Sequence, residues 1–420
     1  MSVLDRDHWH EIWEALRGNK VRTLLTAFGV FWGIFLLMVM MGSGNGLERG
    51  AMEGFSGGAT NSLFVWSQRT TKPWKGMPVG RELDLTDADV AAVRQKVPEA
   101  EIVAPRNQLG GFGGGNNVVR RNRSGGFSVM GDVPELARIQ TVPLVEGRFL
   151  NPIDVADRRK VAVIGTRVRE LLFERGESPL SKEIRIQGVY FTVVGVFKSL
   201  QSGTRGDRET QTIYIPFSTF QQSFNYGNRV DWLAIKSRDD VPATVTEEKV
   251  KALLRARHAV SPDDARAFGS WNLEQEFRKF SGVFTGIRLL VWIVGIGTLA
   301  AGVIGVSNIM LVIVRERTHE IGVRRAVGAT PFAITSQIVL EAVLLTAAAG
   351  YLGLVSGMLA MDGVAAAVAN TDSMFFKRPG VEIATALQAL GILIASGIAA
   401  GLMPAWRALK VPTVEALRSS

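Results

Sequence analysis

The sequence predicts an α+β membrane protein with four transmembrane helices and a large extracytoplasmic α/β domain, in two lobes, between the first and second helices. Four long segments carry almost no charge, and a region with strand and helix patterns separates the first segment from the second. The composition agrees, since 47% of the residues are hydrophobic although 21% are charged. Such a mixture indicates apolar spans joined to a soluble domain.

Three uncharged segments and one that is nearly uncharged are the predicted spans. Residues 23–47, 289–314 and 383–406 contain no Asp, Glu, Lys or Arg, and residues 326–361 contain only Glu341. About 20 helical residues cross a hydrocarbon core of roughly 30 Å, so each segment is long enough. We therefore expect transmembrane helices at 23–47, at 282–314 (a stalk followed by the span), at 332–361 and at 383–406.

Basic residues predict the orientation, because loops rich in Lys and Arg stay in the cytoplasm. Such residues precede the first span, follow the second and follow the fourth, whereas the loop 362–382 contains only Lys377 and Arg378. We therefore expect the chain to lie in the inner membrane, with both termini in the cytoplasm. The first residues lack the pattern of a secretory signal, so we expect the first span to be a permanent anchor. The expected cytoplasmic parts are an amphipathic helix at 1–22, a loop at 315–331 and a tail at 407–420.

The extracytoplasmic domain is expected at residues 48–281. Thr86 or Asp87 can cap a helix at Ala88–Val97, and a strand and helix are predicted later, at Trp232–Ile235 and Thr244–His258. These two units predict one discontinuous lobe, at about 60–105 and 216–275, around a strand-rich insert at about 115–215. Short runs rich in β-branched residues predict the strands of the insert, at Val161–Ile164, Glu183–Ile186, Phe191–Val194 and Thr212–Ile215.

Residues that carry out catalysis are not evident in this sequence. No Gly-x-x-x-x-Gly-Lys-Ser/Thr phosphate loop occurs, there is no cysteine, and the four histidines are scattered. We therefore expect no enzymatic activity, no bound cofactor and no metal site in this chain. The net charge of +9 is concentrated beside the spans, which favours membrane lipid over nucleic acid as a partner.

Small residues recur at every fourth position of the spans and predict close helix contacts. Gly297, Ala301 and Gly305 form one such pattern, and residues 349–357 and 397–401 contain others. Small side chains allow helix backbones to approach where lipid gives no hydrophobic drive for association.

The loop after the second span is more charged than solubility requires. Acidic and basic residues alternate at helical spacing across Arg315–Thr330, which predicts a short helix on the membrane surface. Such a helix either binds a protein partner or anchors to lipid headgroups through its arginines. The residue types alone do not separate these two roles.

At this loop the chain resembles the MacB- and FtsX-type ABC permeases. The run Asn308–Val312 followed by Glu316–Ala329 looks like the family signature, with His319 where arginine is usual. The resemblance extends over essentially the whole chain, including Asn19–Thr26, Gly131-Asp132, Glu146–Arg148, Val163–Gly165, Gln337, Glu341, Pro404–Ala408, Pro412 and Glu415–Arg418.

The resemblance implies a two-protomer permease, homodimer or paralogous heterodimer, resting on two copies of an ABC ATPase subunit that binds ATP and Mg. In this type VII mechanism, called mechanotransmission, closure of the ATPases moves the ectodomain through long helices. The flanking lobe would be the family's porter subdomain. The implied ATPase-coupling residues are Glu316, Arg317, Glu320, Ile321, Arg324 and Arg325, and the packing and dimer residues are Gly297, Ala301, Gly305, Asn308 and Glu341.

The leading functional hypothesis is export of a substrate such as a peptide, a drug, a lipid or a lipoprotein. MacB carries a fused ATPase domain that this sequence lacks, so a separate ATPase chain is expected. Efflux would add a periplasmic adaptor and an outer-membrane channel. The alternatives are an FtsX-like regulator of a cell-wall hydrolase, which does not transport, and a lipoprotein-release permease. A two-lobed ectodomain favours export, because the regulators carry smaller ones.

Overall fold

Long apolar helices and a block of short strands alternate along the chain. The computed structural model describes residues 20–53, 57–111, 115–201, 203–369 and 383–409. Contacts divide the chain into a membrane unit, Met1–Gly50 with Val283–Ser420, and an ectodomain, Ala51–Gly282. The elements are α1 (Lys20–Glu53), β1 (Ser62–Ser67), β2 (Leu85–Thr86), α2 (Asp87–Lys96), β3 (Ala100–Gln108), β4 (Asn116–Arg120), β5 (Arg123–Asp132), α3 (Leu136–Ile139), β6 (Leu144–Gly147), α4 (Pro152–Ala156), β7 (Val161–Gly165), α5 (Thr166–Leu172), β8 (Glu183–Ile186), β9 (Val189–Phe197), α6 (Gly203–Glu209), β10 (Thr212–Pro216), α7 (Phe217–Ser223), β11 (Arg229–Val230), β12 (Trp232–Ser237), α8 (Ala243–Arg257), β13 (Phe268–Asn272), α9 (Leu273–Glu316), α10 (Thr318–Ala326), α11 (Pro331–Ala369) and α12 (Ile383–Leu409).

Four helices, α1, α9, α11 and α12, are long and apolar enough to cross a membrane. The fold class predicted from the sequence, four spans with an α/β domain between the first and second, is confirmed. The helices extend beyond the uncharged segments: α9 begins at Leu273 rather than 282, and α11 ends at Ala369 rather than 361. Charged residues mark where a helix leaves the hydrocarbon, whereas the backbone hydrogen bonds continue into water, so charge alone makes a predicted helix too short.

Three predicted segments lie wholly or mostly outside the described residues. These are the N-terminal amphipathic helix at 1–22, the loop at 362–382 and the tail at 407–420, of which the structure describes only residues 20–22, 362–369 and 407–409. The described part of the predicted loop belongs to α11, and that of the tail to α12.

Six strands of the ectodomain form a closed ring. The order is β5–β10–β7–β9–β8–β4 and back to β5, with β10 parallel to β5, β7 parallel to β9, and the other neighbours antiparallel. Alternate residues point inward and fill the ring with apolar side chains, among them Phe127, Ile164 and Phe191. The four strands predicted in the insert are confirmed as β7, β8, β9 and β10, although β9 is longer than expected.

An open antiparallel sheet continues from the ring in the order β5–β3–β12–β1–β13. The predicted helices are confirmed as α2 and α8, and both pack on one face of this sheet. Leu63 and Val65 of β1 and Leu233 of β12 are fully buried on that face. In sequence, β1 and β3 of this sheet precede the ring strands, and β12 and β13 follow them.

A buried ion pair joins the ring to the open sheet. Arg106 of β3 donates from Nε and Nη2 to the two carboxylate oxygens of Asp132 on β5, at 2.6 and 3.0 Å. Both side chains are almost inaccessible to solvent. The pair lies next to the two-residue contact between β3 and β5, where the backbone ladder is short.

Candidate coupling site

A tightly specified turn ends α10 and leads into α11. The C-terminus of α10 is a Schellman motif, in which Ala329 N–H donates to the Arg324 carbonyl and Gly328 N–H to that of Arg325. Gly328 has φ of 101°, a left-handed conformation that costs a side-chain-bearing residue about 1–2 kcal/mol. Thr330 Oγ1 then accepts from Ala333 N–H at 3.3 Å, and Pro331 occupies the first position of α11.

Three arginines attach α10 and its N-cap residue to the membrane helices. Arg317 donates from Nη1 to Glu341 Oε1 of α11 at 3.4 Å, and Arg324 donates from Nη1 to Gln337 Oε1 at 2.9 Å. Arg325 donates from Nη1 to the carbonyl of Leu409, the last residue of α12, at 3.2 Å. The hydrogen bonds therefore tie the short helix to both of the last two spans.

Ile321 gives the same attachment an apolar component. It is half-buried and packs on the core of the membrane helices, in a narrow cleft that Arg317, Arg324 and Glu341 also line. Ile321 is one of the predicted ATPase-coupling residues. Within this chain Ile321 packs on the membrane helices, and Gly322 beside it is also buried.

The outer side of α10 carries charge together with apolar side chains. Glu316 at the end of α9 and His319 and Glu320 of α10 are exposed; Glu320 also lines the cleft and accepts from Arg324 Nη2 at 2.8 Å. Val323 and Val327 are 40% and 83% exposed. These two valines were not among the predicted coupling residues, although their spacing of four residues within a charged loop was a readable signal.

The predicted coupling residues thus divide into two groups. Arg317, Glu320, Ile321 and Arg324 line the cleft together with Glu341, and Arg325 reaches α12, whereas Glu316 is exposed at the end of α9. The role of Gln337 as a partner of Arg324 was not predicted. The contact of Arg325 with the Leu409 carbonyl could not be predicted, because every residue has a backbone carbonyl and the sequence does not distinguish this one.

Small residues bring the membrane helices together within the chain. A Cβ on Gly353 of α11 would lie 2.5 Å from the Phe31 carbonyl oxygen of α1, and one on Gly357 would lie 2.7 Å from Met38 Cβ. On α12, a Cβ on Gly401 would lie 2.8 Å from Val339 Cα of α11. These positions accept only glycine without displacement of a neighbouring helix.

The small-residue pattern on α9 behaves differently. A Cβ on Gly297 or Gly305 would meet no described atom within 4 Å, and Ala301 and Asn308 on the same helix are exposed. Glu341, grouped with these residues in the sequence analysis, lies elsewhere and accepts from Arg317. The open α9 face comprises Gly297, Ala301, Gly305 and Asn308.

Comparisons with protein families cover both parts of the chain. Residues 23–253 match the MacB-like periplasmic core domain, and residues 292–413 match the FtsX-like permease C-terminal domain. The first match alone covers more than half of the chain.

Curated relatives extend over nearly the whole chain. The pyoverdine export ATP-binding/permease protein PvdT of Pseudomonas entomophila is 31% identical over 408 residues, which is 97% of this chain and 59% of that protein. The macrolide export ATP-binding/permease protein MacB of Neisseria gonorrhoeae is 29% identical over 406 residues, covering 96% of this chain and 59% of that protein. The chain thus spans about three fifths of the length of these relatives.

Among solved structures, the periplasmic region of MacB from Actinobacillus actinomycetemcomitans aligns with a TM-score of 0.43 at 20% identity, covering 55% of this chain and 97% of that one. The extracellular domain of the noncanonic ABC-type transporter YknZ from Gram-positive bacteria gives 0.42 at 16% identity, covering 50% and 100%. From the two family matches, the chain belongs to the MacB/FtsX-type family of ABC transporter permeases.

Proposed function

We propose that this permease couples ATP hydrolysis by a partner ATPase subunit, which binds ATP and Mg, to movement of its extracytoplasmic domain. That movement would drive export of a substrate such as a peptide, a drug, a lipid or a lipoprotein across the cell envelope. In this proposal α10 is the coupling helix: its outer side receives the ATPase subunit, and its inner side passes the displacement to the spans.

The attachment of α10 is the observation that carries the proposal. Three arginine contacts and the packing of Ile321 fix α10 to α11 and α12, so a force on its outer side is transmitted rather than absorbed. The helix that precedes α10 in the chain, α9, is a single helix of 44 residues that begins directly after β13 of the ectodomain. A helix of this length extends about 66 Å, roughly twice the hydrocarbon thickness.

A second protomer is part of the proposal. Lipid-exposed polar side chains are unfavourable, and small residues in a membrane helix favour close approach of another helix. The open α9 face combines both features, with Asn308 beside three small residues. A neighbouring protomer that covers this face would bury the amide and fill the groove.

Substitution of Glu316 and Glu320 by alanine tests the coupling proposal. Loss of a charge from a desolvated pair in an interface costs about 2–5 kcal/mol, so the double variant should release the ATPase subunit or uncouple ATP hydrolysis from export. A helix that only anchors to lipid would respond weakly, since headgroups attract basic residues by roughly 1 kcal/mol each and acidic ones contribute little. The measurements are copurification of the ATPase and substrate-dependent ATPase activity in nanodiscs.

Glu170→Ala is the matched control, because it removes an exposed acidic partner of Arg167 in the ectodomain at 2.8 Å. It should leave copurification and activity unchanged. If Glu316→Ala with Glu320→Ala also leaves both unchanged while the protein inserts normally, α10 is a lipid anchor and the coupling proposal is wrong.

A further inference from the structure

One face of the open sheet carries aromatic side chains that the helices do not cover. Phe64 and Trp66 alternate on β1 with the buried Leu63 and Val65, so they point away from α2 and α8. The strand register places Trp66 opposite Trp232 of β12 and Phe64 opposite Trp271 of β13. The rings of Phe64 and Trp271 are stacked, with centroids 5.7 Å apart.

The indole of Trp66 lies flat across β13. A Cβ at Gly269, its register partner, would be 2.5 Å from the indole ring atoms. The sheet therefore offers a broad aromatic surface rather than isolated rings. The position of the Trp66 indole requires glycine at residue 269, because a side chain there would collide with the ring. We call Phe64, Trp66, Trp232 and Trp271 the aromatic wall.

The aromatic wall lines a cavity of about 850 Å³ within the ectodomain. Met130 of β5 and Thr212 and Tyr214 of β10 form its other side, so the ring and the open sheet both contribute. Pockets for small molecules typically measure about 300–1,000 Å³ and combine apolar walls with a few polar groups. Volume and lining both match that description.

Most charged side chains of the cavity already have hydrogen-bond partners within the protein. The two acidic side chains are engaged: Asp231 accepts from Gln108 N–H at 2.9 Å, and Glu209 accepts from Ser199 Oγ at 2.6 Å. Arg106 is held by Asp132 and lies over the Trp232 ring at 5.7 Å.

Arg229 is the group with spare capacity to donate hydrogen bonds. Its side chain is 57% exposed and lies over the Tyr226 ring at 5.8 Å, and both of its ion pairs use Nε, at 3.2 Å to Asp231 and 3.8 Å to Asp84. A guanidinium group has five N–H donors, so these two contacts leave it able to bind an acceptor. Arg229 is therefore the cavity group that can donate to an acidic group of a ligand.

We propose that this cavity binds a planar aromatic anion. Its ring system stacks on the aromatic wall, and its acidic group pairs with Arg229. Stacked aromatic rings and arginine–anion pairs are favoured in such partly desolvated sites. The binding proposal is independent of α10, since it concerns equilibrium binding without ATP or an ATPase subunit.

Fluorescein and rhodamine 123, which share a xanthene ring but differ in charge, provide the test. The full chain is reconstituted in nanodiscs of zwitterionic lipid, and binding is followed by fluorescence anisotropy. We expect saturable binding of fluorescein that exceeds that of rhodamine 123. Trp271→Ala and Trp66→Ala should each weaken it about fivefold to tenfold. Arg229→Gln should weaken fluorescein binding about twofold to fivefold and leave rhodamine 123 unaffected.

Trp74→Ala is the matched control, since Trp74 is an ectodomain tryptophan, 38% exposed, outside the cavity. It should bind fluorescein like the unaltered chain. Trp271 is 44% exposed, so its truncation leaves the buried core intact, and a thermal melt checks this. The proposal is overturned if fluorescein does not bind saturably, if rhodamine 123 binds equally well, or if Trp74→Ala weakens binding as much as Trp271→Ala.

Discussion

A single carboxylate, Asp89, joins two parts of the ectodomain that are distant in sequence. It lies in the first turn of α2 and accepts from the backbone N–H of Thr86 at 2.9 Å. It also accepts from Arg257 Nε at 2.7 Å and contacts His258 Nε2 at 3.0 Å, both at the end of α8. Burial alone would raise the pKa of Asp89, but its hydrogen bonds to His258, Arg257 and Thr86 outweigh burial and hold the pKa well below its usual range.

Asp89→Asn should destabilise the ectodomain at neutral pH by about 1.5–3 kcal/mol, the usual contribution of hydrogen bonds to a charged group. Because the pKa of Asp89 is lower in the folded state than in the unfolded state, its contribution is complete above about pH 4 and is lost as the pH falls. The difference between the two proteins should therefore shrink in acid. Urea unfolding of the full chain in micelles, followed by tryptophan fluorescence at pH 7 and pH 3.5, measures it.

Asp157→Asn serves as the comparison, since Asp157 is half exposed and pairs with Arg159 on the surface. A surface pair contributes roughly 0–1 kcal/mol, so little change is expected at either pH. Equal effects of the two substitutions would contradict the role assigned to Asp89.

At the scale of a residue, local chemistry was predictable and long-range partners were not. The capping role of Thr86 follows from its place just before a helix, and the structure has it as the N-cap. Arg257 and His258 are 168 and 169 residues from Asp89, and no local pattern connects them. Arg120 illustrates the same limit: it is buried, pairs with Glu177 and lies over Phe173, although its sequence context is that of a solvated loop.

At the scale of the element, strands and helices were easier to predict than their pairing. Short β-branched runs identified β7, β8, β9 and β10, because such side chains fit a pleated surface. Closure of the ring depends on the parallel pairing of β5 with β10, which brings Ser128 next to Thr212. Parallel strands so far apart in the chain share no turn whose residues could reveal the pairing.

The same limit applies to the glycine patterns of the spans. Spacing of four residues predicts close approach on α9, α11 and α12 alike, but it does not tell whether the neighbouring helix belongs to the same chain. Gly353 and Gly401 face helices of this chain, whereas Gly297 and Gly305 do not meet any described atom. Only the arrangement of all four spans separates the two cases.

Gly353→Ala and Gly297→Ala form a matched pair that tests this division. The first places a methyl group against the α1 backbone and should destabilise the membrane unit by about 1–3 kcal/mol, as overpacking does. The second should leave the melting temperature unchanged or raised, since alanine favours helix, and instead lower the dimer fraction. Thermal melts and light scattering in detergent read the two effects. If Gly297→Ala lowered the melting temperature and Gly353→Ala lowered the dimer fraction instead, the two faces would have been assigned the wrong way round.

At the scale of the whole molecule, the orientation in the membrane remains a prediction from the distribution of basic residues. The natural chain has no cysteine, so single substitutions report cleanly. Ser124→Cys in the ectodomain should react with an impermeant maleimide on intact cells. Ala326→Cys in α10, expressed without the ATPase subunit, should react only after permeabilisation. Both residues are exposed, so access rather than burial decides the result.

The inverse pattern, in which Ala326→Cys is labelled on intact cells and Ser124→Cys is not, would reverse the topology. It would also place α10 on the side of the membrane without ATP, and the coupling proposal would then fail with it.

The unbroken helix α9 places chain length, as well as composition, under constraint. It runs from Leu273 to Glu316 without interruption. Each residue inserted within a helix turns everything before it by about 100° and shifts it by about 1.5 Å. One extra residue would therefore put the open α9 face out of phase with β13, whereas seven would restore the phase to within about 20°. Insertions and deletions in α9 should therefore survive mainly in steps that nearly restore the phase, such as about seven or about eleven residues.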